Sequence, residues 1–210
     1  AMQNTMRYLC ANIQGCVFGY TQSDEITLIL IDYQTLTTSA WFDYEVQKMC
    51  SIASSMATMV FNKEFTRLAN NYIDNTMEAW NISDDEKKYI ETLEKAMSMG
   101  AMFDCRAFNI PKEEVTNLIY WRQLDAARNS VQMVGRAYFS HKQLNNKSCN
   151  DIQDMLYEQY KINWNDFPVY QKRGSSCIKK ENGWVLDTNM PMLKGEDRVY
   201  LDNLIYIGEN

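Results

Sequence analysis

The 210-residue chain contains one histidine, and its six cysteines include no C-x-x-C pair. Zinc sites need several histidine or cysteine ligands at short spacings, so the composition argues against such a site. We interpret the cysteines as reduced, structural thiols. No apolar run approaches the roughly 18 residues needed to cross a bilayer, and the first residues lack the basic and apolar segments of a secretory signal. We expect a cytoplasmic protein with no membrane partner.

An excess of basic residues is also missing, because the formal net charge is -6. Nucleic acids are held largely through lysine and arginine contacts to phosphate, so this charge argues against indiscriminate binding of RNA or DNA. If RNA is the partner, a local basic face must bind it. With 46% hydrophobic residues, the chain is long enough for one sizeable core with an accessory segment.

Apolar periodicity and turn residues predict alternating helices and strands in the first 120 residues. Met2, Met6 and Leu9 recur at helical spacing, and Ser83 with Glu86 forms a capping-box signature. The predicted order is a helix over 2–13, strands over 16–20 and 26–31, a long helix over 41–61, an irregular segment over 68–82, a helix over 83–100, a strand over 101–110 and a helix after residue 111.

Local signals also organise the C-terminal part. Ser140 with Gln143 and Ser148 with Asp151 read as two capping boxes, so short helices should follow them. The dipeptide Asn182-Gly183 lies between two β-prone runs and predicts a hairpin, because both residues tolerate positive φ. A short helix is expected near residues 201–205.

This order is typical of a ferredoxin-like, split βαβ α+β unit that lacks its first strand. We expect an antiparallel sheet with helices on one side in a domain over residues 1–135. A C-terminal helical and hairpin region over 136–210 would complete the site. Since a strand-first topology needs residues upstream of Ala1, we expect an N-terminal segment to be missing.

Two adjacent carboxylates, Asp24 and Glu25, stand with Ser23 at the tip of the first predicted hairpin. Enzymes that use two metal ions need carboxylates able to bridge the ions, and Mg²⁺ accepts one or two carboxylates together with phosphate oxygens. The pattern is therefore compatible with a magnesium site at this tip. The alternative is that the two acids are simply solvated, as acids in hairpin turns usually are.

Other polar residues have equally simple alternatives. Lys48 and Ser51 lie on one flank of the long helix and could bind triphosphate or could be solvated. Arg122 and Asp125 are at i and i+3, which also fits an intrahelical pair. Lys172-Arg173-Gly174 combines charge with a flexible backbone and could meet a phosphate. His141 is most simply a surface residue.

Five blocks of the sequence, in order, resemble the tRNA(His) guanylyltransferase-like family of 3′-to-5′ RNA polymerases. The stretch from Gly19 to Glu25 is similar to the family's Y-x-Q-S-D-E signature. The other blocks are Trp41-Phe42 with Lys48, Phe103-Asp104-Cys105-Arg106, Tyr120-Trp121-Arg122-Gln123 with Asp125, and Ile162-Asn163-Trp164-Asn165 leading to Lys172-Arg173-Gly174.

The resemblance implies a polymerase-palm-like domain that adds nucleotides to the 5′ end of tRNA under template control. Two Mg²⁺ ions, ATP and GTP would take part, and the assembly would be a homotetramer built from dimers. The implied catalytic metal ligands are Asp24 and Glu25. The implied nucleotide-binding residues are Ser23, Lys48, Ser51, Arg106 and Asn165. The implied tRNA or phosphate-binding residues are Arg122, Asp125, Lys147, Lys172 and Arg173.

Two departures from the family pattern matter. Residues 127–133 replace the H-I-N-N-L-Y-N motif of eukaryotic members, a loss typical of bacterial and archaeal members that resemble tRNA 5′-end repair enzymes. The family's first metal-binding aspartate lies upstream of the sequence given. Two alternatives stay open: a palm-fold nucleotide cyclase, and a catalytically silent RNA-binding protein that keeps the palm fold.

Overall fold

The computed structural model describes residues 1–78 and 81–208, which form two compact units. The first unit comprises Ala1–Cys16 and Leu30–Asn109, and the second comprises Val17–Ile29 and Ile110–Asn210. No helix in these described ranges is long and apolar enough to cross a membrane. All six cysteines have the reduced thiol form in this structure.

The first unit is helical and contains α1 (Met2–Asn12), α2 (Val46–Met77) and α3 (Asp84–Met99). Helix α1 buries Met6 and Leu9, which confirms the predicted apolar face. The predicted capping box is present at the start of α3, where Ser83 and Glu86 exchange side-chain and backbone hydrogen bonds.

The long helix differs from the prediction at both ends. Phe42, Asp43 and Tyr44 have φ between 51° and 61°, so residues 41–44 form a separate turn and α2 begins only at Val46. The helix then continues to Met77, so the irregular segment predicted over 68–82 is wrong for most of its length. Packing between Tyr72 and Tyr89, whose ring centroids lie 5.2 Å apart, links the far end of α2 to α3. The predicted segment also includes residues 79 and 80, which lie outside the described residues.

The strand predicted over 101–110 is wrong. Backbone groups of this segment hydrogen-bond to side chains of α2 and do not join a sheet. The Asn62 side chain accepts from the Ala101 amide at 2.7 Å and donates to the Ala101 carbonyl at 2.9 Å, and Thr58 Oγ1 accepts from the Phe103 amide at 3.0 Å. The sequence of this segment alternates like a strand, but its backbone groups at Ala101 and Phe103 form hydrogen bonds with polar side chains of α2 and not with another strand.

The sheet has four strands in the order β2-β1-β3-β4: β1 (Cys16–Gln22), β2 (Glu25–Leu30), β3 (Ser175–Lys180) and β4 (Gly183–Asp187). Strand β1 is buried along its whole length and pairs antiparallel with β3, so that Gly19 faces Cys177. This antiparallel palm-like α+β fold confirms the predicted fold class. The C-terminal hairpin thus completes the same sheet as the N-terminal hairpin.

The helices of the second unit are α4 (Lys112–Tyr138), α5 (His141–Leu144), α6 (Cys149–Tyr160), α7 (Val169–Arg173) and α8 (Val199–Ile205). Both predicted capping boxes, before α5 and before α6, are present. The predicted domain boundary at residue 135 falls inside α4, and the division into 1–135 and 136–210 stays a prediction.

Candidate nucleotide and metal site

The acidic hairpin tip is a two-residue turn, Ser23-Asp24, between β1 and β2. Ser23 adopts a left-handed conformation with φ of 50°, and the Thr21 hydroxyl donates to the Glu25 carbonyl at 2.8 Å, which closes the turn. Thr21 and Gln22 are buried, whereas Ser23, Asp24 and Glu25 are exposed. The buried strand therefore holds three polar side chains at a fixed, solvent-facing position.

Glu25 is oriented by two hydrogen-bond donors. Its Oε2 accepts from Gln22 Nε2 and from Arg122 Nη1, each at 3.0 Å. The Arg122 and Glu25 side chains are 39% and 49% exposed, so their ion pair contributes at most about 1 kcal/mol to stability. Its main effect is to fix the direction of the carboxylate. By contrast, no side chain in the described part of the chain holds the Asp24 carboxylate.

Tyr20 joins this tip to helices α4 and α7. Its buried hydroxyl donates to the Arg173 carbonyl at 2.7 Å. Burial raises the pKa of Tyr20, and the charges of Arg122, Glu25, Arg173 and Asp125 also act on it. Four predicted site residues therefore surround one phenol.

Gly174 makes this arrangement possible. Its φ is +85°, and an added Cβ would lie 2.6 Å from the Thr21 carbonyl oxygen and 2.8 Å from the Tyr20 ring. Only glycine brings the residue after Arg173 this close to β1. The Arg173 guanidinium lies at 3.4 Å from the Met190 carbonyl, a long contact that leaves the group available to a phosphate.

The structure also brings Lys172 and Asn165 together. Lys172 Nζ donates to the Asn165 carbonyl at 2.6 Å and lies 5.6 Å from the centre of the Trp164 ring. The Asn165 amide donates to Asn163 Oδ1 at 3.2 Å, and Trp164 Nε1 donates to the Ser130 hydroxyl at 3.0 Å. These contacts hold the segment against α4.

Lys147 lies elsewhere in the second unit, in the loop between α5 and α6. There it lines a cavity of about 430 Å³ together with Arg136 and His141. Its predicted contact with tRNA phosphate stays a prediction.

The other three predicted residues belong to the first unit. Lys48 Nζ lies 4.5 Å from the centre of the Phe42 ring, and the Ser51 hydroxyl donates to the Lys48 carbonyl at 3.1 Å. Arg106 is exposed and lies 3.7 Å from Asp104. Their roles in nucleotide binding stay predictions.

Several residues that shape the site did not stand out in the sequence. Gln22 orients Glu25, and Tyr20 joins the hairpin tip to α7. Gln123 is buried; its side chain donates to the Pro191 carbonyl at 2.8 Å and accepts from the Leu193 amide at 2.9 Å. Gln123 of the W-R-Q block is therefore structural. Two signals were available for Gln22 and Gln123: both lie in blocks that resemble the family, and both are polar at positions that strand and helix periodicity bury.

The fit of this site to Mg²⁺ can be tested on its donor atoms. Within residues 1–78 and 81–208, no group of three or more histidine, cysteine, aspartate or glutamate side chains could hold a metal ion. Asp24 and Glu25 are nevertheless adjacent and exposed. Mg²⁺ commonly takes one or two carboxylates and completes its shell with water and substrate phosphates, so these two residues fit an ion that arrives with a nucleoside triphosphate.

Comparison with known proteins agrees with the fold. The family model Thg1, described as tRNAHis guanylyltransferase, matches residues 1–111. Uncharacterized protein R259 of Acanthamoeba polyphaga mimivirus is 32% identical over 177 residues, which are 80% of this chain and 56% of that protein. The chain thus spans little more than half the length of this relative.

Three solved structures resemble the chain. A bacterial tRNA(HIS) guanylyltransferase (Thg1)-like protein in complex with ATP is 37% identical, with a TM-score of 0.79 over 98% of this chain and 78% of that one. A bacterial Thg1-like protein in complex with GTP is 31% identical, with a TM-score of 0.68 over 98% and 76%. The tRNA(His) guanylyltransferase of Saccharomyces cerevisiae, 18% identical with a TM-score of 0.54 over 88% and 72%, shares the fold.

Proposed function

The chain belongs to the tRNAHis guanylyltransferase (Thg1) family, and from this premise we propose that it is a nucleotidyltransferase that extends the 5′ end of tRNA in the 3′-to-5′ direction under template control. The observation that carries the proposal is the exposed carboxylate pair Asp24-Glu25, in which Glu25 is oriented by Gln22 and Arg122. The similarity to proteins in complex with ATP and with GTP supports nucleoside triphosphates as substrates.

Asp24 and Glu25 would hold the two Mg²⁺ ions. When bound, the ions would neutralise charge on the phosphates and on the attacking and leaving oxygens. No described side chain forms a hydrogen bond with the Asp24 carboxylate, whereas the Glu25 carboxylate is oriented by Gln22 and Arg122. The two acids are therefore suited to different parts of one metal site.

Basic and hydroxyl side chains would position the polyphosphate. The proposed nucleotide-binding residues are Ser23, Lys48, Ser51, Arg106 and Asn165. The proposed tRNA or phosphate-binding residues are Arg122, Asp125, Lys147, Lys172 and Arg173. Arg122 can exchange its contact with Glu25 for a phosphate oxygen at small cost, because the ion pair is half-exposed.

In the proposed reaction, a 5′-phosphate oxygen of the tRNA first attacks the α-phosphorus of ATP, so that an adenylyl group is transferred to the tRNA and pyrophosphate leaves. The 3′-hydroxyl of an incoming nucleotide then attacks the activated 5′ phosphorus, a phosphoester bond forms, and the activating group leaves. Holding both reactants in line is the main contribution that the protein makes to such a transfer. Because residues 127–133 do not read H-I-N-N-L-Y-N, we propose repair of incomplete tRNA 5′ ends as the role. We also propose a homotetrameric assembly and a cytoplasmic location.

One observation favours a second candidate, a catalytically silent RNA-binding protein. The described residues contain no third acid beside Asp24 and Glu25 that could complete a cluster of metal ligands. A palm-fold cyclase would differ in its product, a cyclic nucleotide.

The test is incubation of the protein with Mg²⁺, ATP, labelled GTP and a tRNA that lacks its first nucleotide. We expect a labelled tRNA one nucleotide longer at its 5′ end. Asp24→Ala should abolish this product without loss of the folded state, because removal of an exposed metal ligand opens no core cavity.

Glu181→Ala is the matched control, since Glu181 is an exposed acid in the turn of the other hairpin. It should keep full activity. A cyclic product would support the cyclase, and RNA binding without any product would support the silent protein. Full activity of Asp24→Ala would refute the site.

A further inference from the structure

We propose that the cavity between α4, α5 and α6 binds a backbone phosphate of RNA several nucleotides away from the reacting 5′ end, with Arg136 and His141 as its main new ligands. This inference rests on the proposed function, because it assumes that the substrate is RNA. It adds a second contact region at a distance from the acidic hairpin tip.

The cavity has the donor set of an anion site. Its volume is about 430 Å³, and three basic side chains, Arg136, His141 and Lys147, line it. The amide side chains that join them are Gln132, Asn145 and Asn146. None of the described residues that line the cavity is acidic. In a chain of net charge -6, this is a local basic face of the kind that RNA binding requires.

The cavity rests on a packed core. Leu144 and Ile152 contribute its apolar lining. Gly135 lets α4 approach α6 closely, because a Cβ at this position would lie 2.7 Å from Ile152 Cγ2. Below it, Val131 and Phe139 are buried in one cluster with Ile152 and Leu156. The basic groups are therefore carried by a rigid support, which favours a preformed binding site.

Helix α4 links the cavity to the acidic hairpin. Arg122, Asp125, Asn129, Gln132 and Arg136 follow one another at i, i+3, i+7, i+10 and i+14, so they share one face of the helix. Arg122 contacts Glu25 at the first end of this stripe, and Gln132 and Arg136 line the cavity at the other. The polar stripe therefore runs continuously from one site to the other.

The distance between the hairpin tip and the cavity distinguishes a nucleoside triphosphate from a polynucleotide as the ligand of the cavity. Fourteen residues of α-helix rise about 21 Å from Arg122 to Arg136. A strand in a duplex carries a phosphate about every 3.4 Å of its axis, so this distance spans several nucleotides. One triphosphate bound at the hairpin would not occupy the cavity as well. A polynucleotide whose 5′ end lies at the hairpin can reach both places.

His141 provides a direct test because it is the sole histidine of the chain. In protein without a histidine tag, its imidazole resonances report on this cavity alone. We expect them to shift saturably on titration with a hairpin RNA that mimics a tRNA acceptor stem, and to stay in place with GTP at the same concentration. Resonances that follow GTP would indicate a second nucleotide site and overturn the proposal. Resonances that ignore bound RNA would overturn it too.

Arg136→Ala supplies the second readout. Loss of one charge-assisted phosphate contact should weaken RNA binding about tenfold and reduce the salt dependence of log K by about 1. Arg128→Ala is the matched control, since it removes an exposed arginine of the same helix that does not line the cavity. An equal loss of binding in both variants would overturn the proposal.

Failure of this inference can be told apart from failure of the proposed function. When RNA is varied in the addition assay, Arg136→Ala should raise the KM for RNA, whereas Arg128→Ala should keep the wild-type KM and rate, because Arg128 does not line the cavity. A wild-type protein whose His141 resonances respond to RNA but which adds no nucleotide would refute the activity and leave the cavity assignment standing.

Discussion

At the scale of single residues, the Arg122–Glu25 ion pair orients a carboxylate of the site but adds little to the stability of the fold. The Arg122–Glu25 pair lies at the surface, where ion pairs contribute at most about 1 kcal/mol. We predict that Arg122→Ala lowers the free energy of unfolding by less than about 1 kcal/mol, yet sharply reduces nucleotide addition, because Glu25 loses one of its two orienting donors. Urea denaturation and the addition assay measure the two effects.

The control for this variant is Arg67→Ala, which breaks an exposed pair of similar geometry with Glu64 at 2.8 Å. It should keep full activity with a comparably small change in stability. Equal activity in the two variants would contradict a role for Arg122 in the site.

A second prediction at this scale compares Gly174, which lies just before β3, with Gly183, the first residue of β4. Both Gly174 and Gly183 have positive φ, but only Gly174 has neighbours that an added Cβ would strike. Gly174→Ala should cost more than about 3 kcal/mol, because the clash with Thr21 and Tyr20 adds to backbone strain. Gly183→Ala should cost about 1–2 kcal/mol from backbone strain alone. Thermal unfolding compares them, and equal costs would show that the close approach at Gly174 is unimportant.

At the scale of elements, the sequence correctly predicted the features that depend on neighbouring residues. The face of α1, both hairpin turns and the three capping boxes follow from neighbouring residues, and the structure confirms them. The end of α2 and the segment after Gly100 depend on contacts between distant residues. Tyr72 meets Tyr89, and Asn62 binds Ala101, neither of which periodicity reveals.

The same distinction applies to the site. Asp24 and Glu25 could be identified because they are adjacent at a predicted turn. The contacts of Glu25 with Arg122 and of Tyr20 with Arg173 join residues 97 and 153 positions apart, so no local pattern contains them. The blocks that resemble the family contain Arg122, Arg173, Gln22 and Gly174, but the contacts through which Gln22 and Gly174 shape the site are visible only in the structure.

Asn62 allows the non-strand segment to be tested. Asn62→Ala removes both hydrogen bonds to Ala101 and leaves its backbone groups unsatisfied, which should lower the free energy of unfolding by about 2 kcal/mol. Asn71→Ala is the control, because Asn71 is exposed on the same helix. If chemical denaturation gives equal values for both variants, the segment is held by other contacts.

At the scale of the whole molecule, two tyrosines, the buried Tyr20 and the half-buried Tyr200, couple stability to alkaline pH. Burial raises the pKa of Tyr20 and of Tyr200 above the ordinary value of about 10. Above this pH the unfolded chain loses these protons before the folded chain does, so the unfolded state binds fewer protons and the free energy of unfolding falls as pH rises. The stabilisation is complete below about pH 10 and is lost as the pH rises towards the folded-state values.

The pH effect can be measured by urea denaturation between about pH 9 and about pH 11. Replacing Tyr20 and Tyr200 together by phenylalanine should flatten the fall in stability over this range. Tyr157→Phe, at an exposed tyrosine, should leave the slope unchanged. A wild-type slope in the double variant would contradict the assignment.

The central claim is that the first hairpin tip of this Thg1-family chain holds divalent cations for phosphoryl transfer. A crystal structure with Mg²⁺ and a non-hydrolysable GTP analogue tests it most directly. The account predicts an ion within about 2.0–2.1 Å of an Asp24 carboxylate oxygen, shared with triphosphate oxygens. Triphosphate bound at another place, with Asp24 and Glu25 in contact with solvent only, would contradict it.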